Sequence, residues 1–254
     1  MIDNSKIPEN PEILHCEKHG DYEVKYLDFG SRVIERRNCG KCAEESEAAR
    51  KEKEKAEELE RVKNARYQRL INAGVSKRNI GKTFDTFKVN YAGQEKALEA
   101  CKGICSAIKS GERAPNMFMI GSVGTGKTHL SASIIHDLLP IHSVKHVRMI
   151  DLMRELKDTW RRDSDVSETD VIKRYANLDL LIIDEVGIQF GSDAEKMFIF
   201  DIINGRYDNI KPTVLISNLD LQNLKATLGD QVIDRLREEC WIVTGKLNTN
   251  LIND

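Results

Sequence analysis

The chain has 254 residues, 40% of them apolar and 31% charged, with a formal net charge of −2. This suits one medium domain with a small accessory module and a well-solvated surface. It excludes a whole-chain basic footprint for nucleic acid, and no window is apolar enough to cross a bilayer, so a cytoplasmic protein with at most local nucleic-acid contacts is expected.

Residues 1–43 are short of apolar runs and lack the basic-then-apolar order of a signal peptide. They carry "CEKH" at 16–19 and "CGKC" at 39–42, a C-x2-H pair and a C-x2-C pair separated by nineteen residues. Two ligand pairs on tight turns can close a tetrahedron around Zn²⁺, which assigns Cys16, His19, Cys39 and Cys42 as ligands. His15 is an alternative, but the x2 spacing favours His19. Protein fills all four positions, so the metal is read as structural. The interval alternates at Tyr22, Val24 and Tyr26, predicting a small hairpin. Lys25, Arg32, Arg36 and Arg37 offer a nucleic-acid reading of this module. Interleaved Asp21, Glu23, Asp28 and Glu35 weaken it, and protein binding is preferred. Cys101, Cys105 and Cys240 lack the paired spacing and read as small core residues.

Residues 44–73 contain no Gly or Pro and are dense in Glu, Lys, Arg and Ala, strong helix formers. Glu47 with Lys51, and Glu57 with Arg61, have the favoured i,i+4 order. The segment predicts a charged helical linker. An apolar stripe at Leu59, Val62, Leu70 and Ala73 marks where docking onto the next domain begins.

From 74 to 254 strand-like runs alternate with helical stretches: "NMFMIG", "KHVRMI", "LDLLIID", "TVLIS" and "WIVTG". The alternation predicts an α/β domain with a mostly parallel sheet flanked by helices. "GSVGTGKT" at 121–128 fits G-x-x-x-x-G-K-[ST] between a strand and a helix. Gly121, Gly124 and Gly126 let the backbone curl so that its N–H groups face phosphates. Lys127 supplies a point charge to the β and γ phosphates of ATP, and the Thr128 hydroxyl ligates Mg²⁺. In "LLIIDEVG", Asp184 ends an apolar run where it can hold the Mg²⁺ water shell, and Glu185 can polarise the attacking water. Asn218, after "TVLIS", can bond the lytic water or γ-phosphate, or can cap the following helix. Arg235 and Arg237 sit on a short helix, as surface charges or as a cation for a neighbouring subunit.

These motifs in this order resemble an AAA+ P-loop ATPase. "GSVGTGKTHLSASI", "LMRELKDTW", "LDLLIIDEVGIQ", "TVLISNLD" and "LGDQVIDRLRE" together resemble the DnaC-type replicative helicase loaders and their phage relatives, over roughly residues 75–245. The resemblance implies an ATP site between self-associating subunits and a loader that places a hexameric DnaB-type helicase on single-stranded DNA. It implies that Asn218 is a sensor residue and Arg235 an arginine finger, so that turnover is slow in an isolated subunit. It also implies that Trp160, with Arg161 and Arg162, meets single-stranded DNA; the alternative is a Trp packed in the core. The zinc module and long helix are then expected to grip the helicase, and the compact form suits a phage or prophage. The tail "VTGKLNTNLIND" lacks the late arginine that such relatives carry, so no nucleotide sensor in cis is assigned. Two rival readings are an IstB-like transposition helper that remodels duplex DNA, and a nucleotide-stabilised binding adaptor. Asp184 and Glu185 weigh against the adaptor.

Overall fold

A computed structural model describes residues 10–29, 33–187 and 192–244; Arg32, residues 188–189 of the "DEVGIQ" run and Lys246 lie outside them. The chain divides into two compact units, Met1–Ala65 and Arg66–Asp254.

The first unit holds two antiparallel hairpins where one was expected. β1 (Ile13–Cys16) pairs with β2 (Gly20–Glu23), and β3 (Lys25–Asp28) pairs with β4 (Val33–Arg36). The extra turn falls on the "CEKH" pair itself, where Gly20 takes a φ of 76° that a side chain would resist. Tyr22 therefore lies on the first hairpin and Tyr26 on the second, with Val24 buried between them in sequence.

Helix α1 (Gly40–Asn72) starts inside the "CGKC" pair, earlier than residue 44. The Ala43 N–H donates to Cys39 O at 3.0 Å, so Cys39 opens the helix and Cys42 stands in its first turn. Lys51 pairs with Glu47 at 2.7 Å as expected, but Arg61 takes Glu58 at i,i+3 and leaves Glu57 to Lys53. Such exposed pairs are screened by water and contribute little each. The apolar stripe also begins to be buried later than expected. Leu59 and Val62 are more than half exposed, whereas Leu70 and Ala73 are buried.

The second unit runs through α2 (Ala92–Ser110), β5 (Asn116–Ile120), α3 (Lys127–Leu138), β6 (Val144–Arg148), α4 (Met149–Thr159) and α5 (Glu168–Ala176). It continues through β7 (Leu180–Asp184), α6 (Asp193–Asp208), β8 (Thr213–Ser217), α7 (Leu221–Leu228), α8 (Asp230–Arg237) and β9 (Cys240–Thr244). Five strands form one sheet in the order β6-β7-β8-β5-β9, with every pair parallel. All five apolar runs read from the sequence are strands of this sheet. β7 shows why the run is unbroken. Leu181 and Ile183 enter a core with Phe198, Ile202 and Leu215, while Leu180 and Ile182 enter a second core with Ile104, Leu130 and Ile134. Burying each such side chain stabilises the fold by roughly 1.5–3 kcal/mol. Cys101 and Cys105 are buried in α2 as small core residues.

Arg206 of α6 is 1% exposed. Its guanidinium donates to Tyr175 O at 2.7 Å, Leu178 O at 2.9 Å, Pro212 O at 2.5 Å and Thr213 Oγ1 at 2.9 Å. These acceptors gather at the end of α5 and the starts of β7 and β8. The strand starts are thereby pinned together, and the opposite, C-terminal ends are left to form the site.

Candidate nucleotide site and metal centre

The loop after β5 turns back into α3 through Gly124 and Gly126, with φ of 86° and 98°. A Cβ on Gly126 would lie 2.8 Å from the Phe87 ring, so the position excludes larger residues on space as well as on conformation. Lys127 opens α3. Its Nζ donates to Gly121 O at 2.5 Å, Ser122 O at 2.9 Å and Asn218 Oδ1 at 3.0 Å. These acceptors are neutral oxygens, so the cation is held over the loop with its charge still available to an anion. Burial lowers the Lys127 pKa, opposed by the nearby Asp184 carboxylate. With the positive end of α3 behind it, the cradle fits a phosphate chain.

Asp184 ends β7, in register with Arg148 of the adjacent β6. Its Oδ1 accepts the Glu185 N–H at 2.7 Å, and its Oδ2 lies 3.1 Å from His146 Nε2. Glu185 has a φ of 57°, a left-handed conformation that costs a non-glycine residue about 1–3 kcal/mol. Its side chain is largely exposed, 3.9 Å from Arg148 Nη1. Thr128, Asp184 and Glu185 line one cavity of ≈ 800 Å³. An oxygen set of hydroxyl and carboxylates suits Mg²⁺. Asn218 follows β8, and its bond to Lys127 ties that strand's tip to the loop. The helix-capping alternative for Asn218 fails, because Asp220 caps α7 through Asn223 N.

Arg235 is exposed on α8, with its guanidinium carbon 4.4 Å from the centre of the Tyr207 ring. It is not among the residues lining the cavity or bonded to Lys127. Trp160 ends α4 and is 52% exposed, which overturns the core-packing alternative. Its Nε1 donates to Glu168 Oε2 at 2.9 Å. Arg161 lies 3.8 Å from Asp158 and 4.0 Å from Asp163, so its charge is partly balanced in place; Arg162 is exposed beside it.

In the first unit the ligand atoms of Cys16, His19, Cys39 and Cys42 all lie within 4.8 Å of one another. His19 Nδ1 is 3.8, 3.6 and 3.3 Å from the sulfurs of Cys16, Cys39 and Cys42, and the Cys16 and Cys42 sulfurs are 3.5 Å apart. A zinc tetrahedron with Zn–S of about 2.3 Å and Zn–N of about 2.0–2.1 Å has edges of roughly 3.6–3.8 Å. The donor set therefore fits a tetrahedral dication. Backbone N–H groups of His19 and Lys18 lower the Cys16 thiol to about 6, while the hydrogen bond with Cys16 and burial raise Cys42 to about 11. His19 Nε2 meets Glu45 Oε1 at 3.1 Å, the carboxylate that fixes a ligating imidazole, and Lys18 also pairs with Glu45. His15 instead pairs with Asp21 at 2.6 Å, away from the cluster.

Three contacts escaped the sequence reading: His146 on Asp184, Arg148 near Glu185, and Glu45 on His19. The first two depend on β6 lying beside β7, which no local pattern announces. Glu45 was open to inference, since it lies one turn after Cys42 once the helix starts at Gly40.

A family of IstB-like ATP binding proteins matches residues 40–250. The chain is 35% identical over 178 residues to the replicative helicase loader DnaC of Buchnera aphidicola subsp. Acyrthosiphon pisum, covering 69% of this chain and 71% of that protein. Among solved structures it resembles in fold a DnaC helicase loader, with a TM-score of 0.57 and 24% identity over 66% of this chain and 99% of that one. It likewise resembles AMPPCP-bound DnaA from Aquifex aeolicus, with a TM-score of 0.58 and 24% identity over 69% of this chain and 52% of that one.

Proposed function

The chain belongs to the family of IstB-like ATP binding proteins and to its DnaC-type replicative helicase loaders, with the AAA+ architecture, and on that footing we propose that it is an Mg²⁺-dependent ATPase that loads a DnaB-type hexameric helicase onto single-stranded DNA. The observation that carries the reading is the convergence of the Lys127 loop, the Asp184–Glu185 pair and Asn218 at the C-terminal ends of three neighbouring strands. The transposition-helper reading shares the family's ATPase core, but the DnaC relative favours the loader.

Bound Mg·ATP supplies the phosphoanhydride that water cleaves. The loop N–H groups and Lys127 bind the phosphates, and Thr128 with Asp184 holds the metal ion and its waters. Glu185 orients the attacking water and accepts its proton. Asn218 positions Lys127 and the γ-phosphate side of the site. Arg235, presented outward on α8, completes the site of an adjoining subunit, so turnover in an isolated subunit is slow. A zinc module of residues 1–43 runs into a charged helical linker whose helix begins at Gly40, and the ATPase domain follows from 74 to 254. The module and linker grip the helicase.

Co-purification with a DnaB-type hexamer, with and without ATP, tests the loader reading. A complex that forms with ATP supports it. Failure to bind under both conditions removes the helicase partner while leaving the ATPase in place.

Trp160 gives single-stranded DNA a stacking face, with Arg161 and Arg162 beside the phosphates. Trp160→Ala should weaken oligonucleotide binding by roughly 1–3 kcal/mol, the value of one stacked base. Fluorescence anisotropy at fixed salt measures it, and unchanged affinity would remove Trp160 from the DNA face.

A further inference from the structure

We propose that His146 is a positioning residue for the metal-binding carboxylate of Asp184. The inference rests on the reading of Asp184 as the residue that holds the Mg²⁺ water shell. A carboxylate only accepts, so the proton between the two groups sits on His146 Nε2, which donates to Oδ2 across 3.1 Å. The Glu185 N–H takes Oδ1 at 2.7 Å. Both oxygens of Asp184 are therefore held, and the carboxylate plane is fixed before metal arrives. Both side chains are only 14% exposed, so water competes little for the bond.

The ring's own placement is fixed from its backbone. The His146 N–H donates to Ala73 O at 2.7 Å, and a Cβ on Gly74 would lie 1.9 Å from His146 O. Gly74, at a φ of 98°, lets residues 73–74 lie directly against β6 at this one residue. On the other side, β6 is paired with β7, with His146 opposite Ile182. The donor is thus aimed by the packing on both sides of its strand. Partners that orient a metal-binding group commonly carry 10–100-fold of the metal affinity.

The test titrates a fluorescent ATP analogue against the parent, His146→Leu and His146→Gln at rising Mg²⁺, with an EDTA arm and thermal melts in parallel. Leucine keeps an apolar filling on the strand and removes the donor, while the glutamine Nε2 restores one at similar reach. His146→Leu should match the parent in EDTA and need about tenfold more Mg²⁺ to reach the tight-binding state. His146→Gln should recover most of that loss. An unchanged Mg²⁺ requirement in His146→Leu overturns the proposal, as does a glutamine variant no better than leucine. Should leucine unfold the chain, the folded glutamine variant decides: a parent-like Mg²⁺ response supports the donor, and a leftover tenfold loss overturns it. A parent whose nucleotide affinity ignores Mg²⁺ sinks the Asp184 reading first, and that result is seen without any variant.

Discussion

Arg235→Ala should lower ATP turnover of the assembled protein by about 10³-fold or more, close to 4 kcal/mol of activation free energy, with nucleotide affinity little changed. The fold has little at stake in this side chain. Its contact with the Tyr207 ring is exposed to water and contributes little. A loss of rate without a comparable loss of melting temperature therefore reports chemistry rather than unfolding. Mixing decides whether the cation acts on another copy. Arg235→Ala retains an intact loop, and Lys127→Ala retains an intact finger. Each alone should be nearly inactive, and the mixture should regain part of the parent rate, because some interfaces join a whole loop to a whole finger. An inert mixture, or an Arg235→Ala protein that hydrolyses ATP as the parent does, ends the reading of a site shared between subunits.

Removing the metal should have the second large effect, and on the other unit. Among the described residues of the first unit the strands are four residues long, and Val24 and Cys39 are the buried apolar side chains. Such a unit has little core with which to hold itself together. Structural zinc provides on the order of 10–16 kcal/mol in finger peptides, more than these hairpins can replace. The parent should carry one zinc per chain by elemental analysis. Cys39→Ala should lose it, become protease-sensitive within the hairpins and fail to hold the helicase, while nucleotide binding by the second unit persists. Acid should release the metal as thiolates and imidazole take up protons. Equal zinc in Cys39→Ala and parent, or a parent free of zinc after growth in zinc-rich medium, would refute the assignment.

The sheet was legible because its strands are buried on both faces. β7 cannot place Leu180 to Ile183 alternately in two cores without reading as an unbroken apolar run. The phosphate loop was legible because space and backbone conformation leave few residue types for Gly126, and because Lys127 must open the following helix. The grouping of Cys16, His19, Cys39 and Cys42 was legible through spacing alone, and the structure draws these four side chains together. Other features depend on neighbours remote in sequence. His146 meets Asp184 only because β6 lies beside β7. Arg61 chooses Glu58 over Glu57 by side-chain geometry that spacing does not fix. Leu59 and Val62 matched an apolar stripe, yet their period continued into solvent. Trp160 was ambiguous in sequence, since an aromatic ring serves a core or a surface equally well. Its exposure was settled by where α4 ends.

The guanidinium of Arg206 gives the molecule an asymmetric tolerance to change. It anchors the floor of the sheet, far along the strands from the rim that carries Lys127, Asp184 and Asn218. Loops on the rim can be lengthened or recoloured over evolutionary time without disturbing how the strands are seated. The floor has no such freedom: a lysine offers a point charge where a planar fork is required, and would strand carbonyls that have no water to turn to. Divergence among descendants of this chain should therefore collect at the rim and spare the floor.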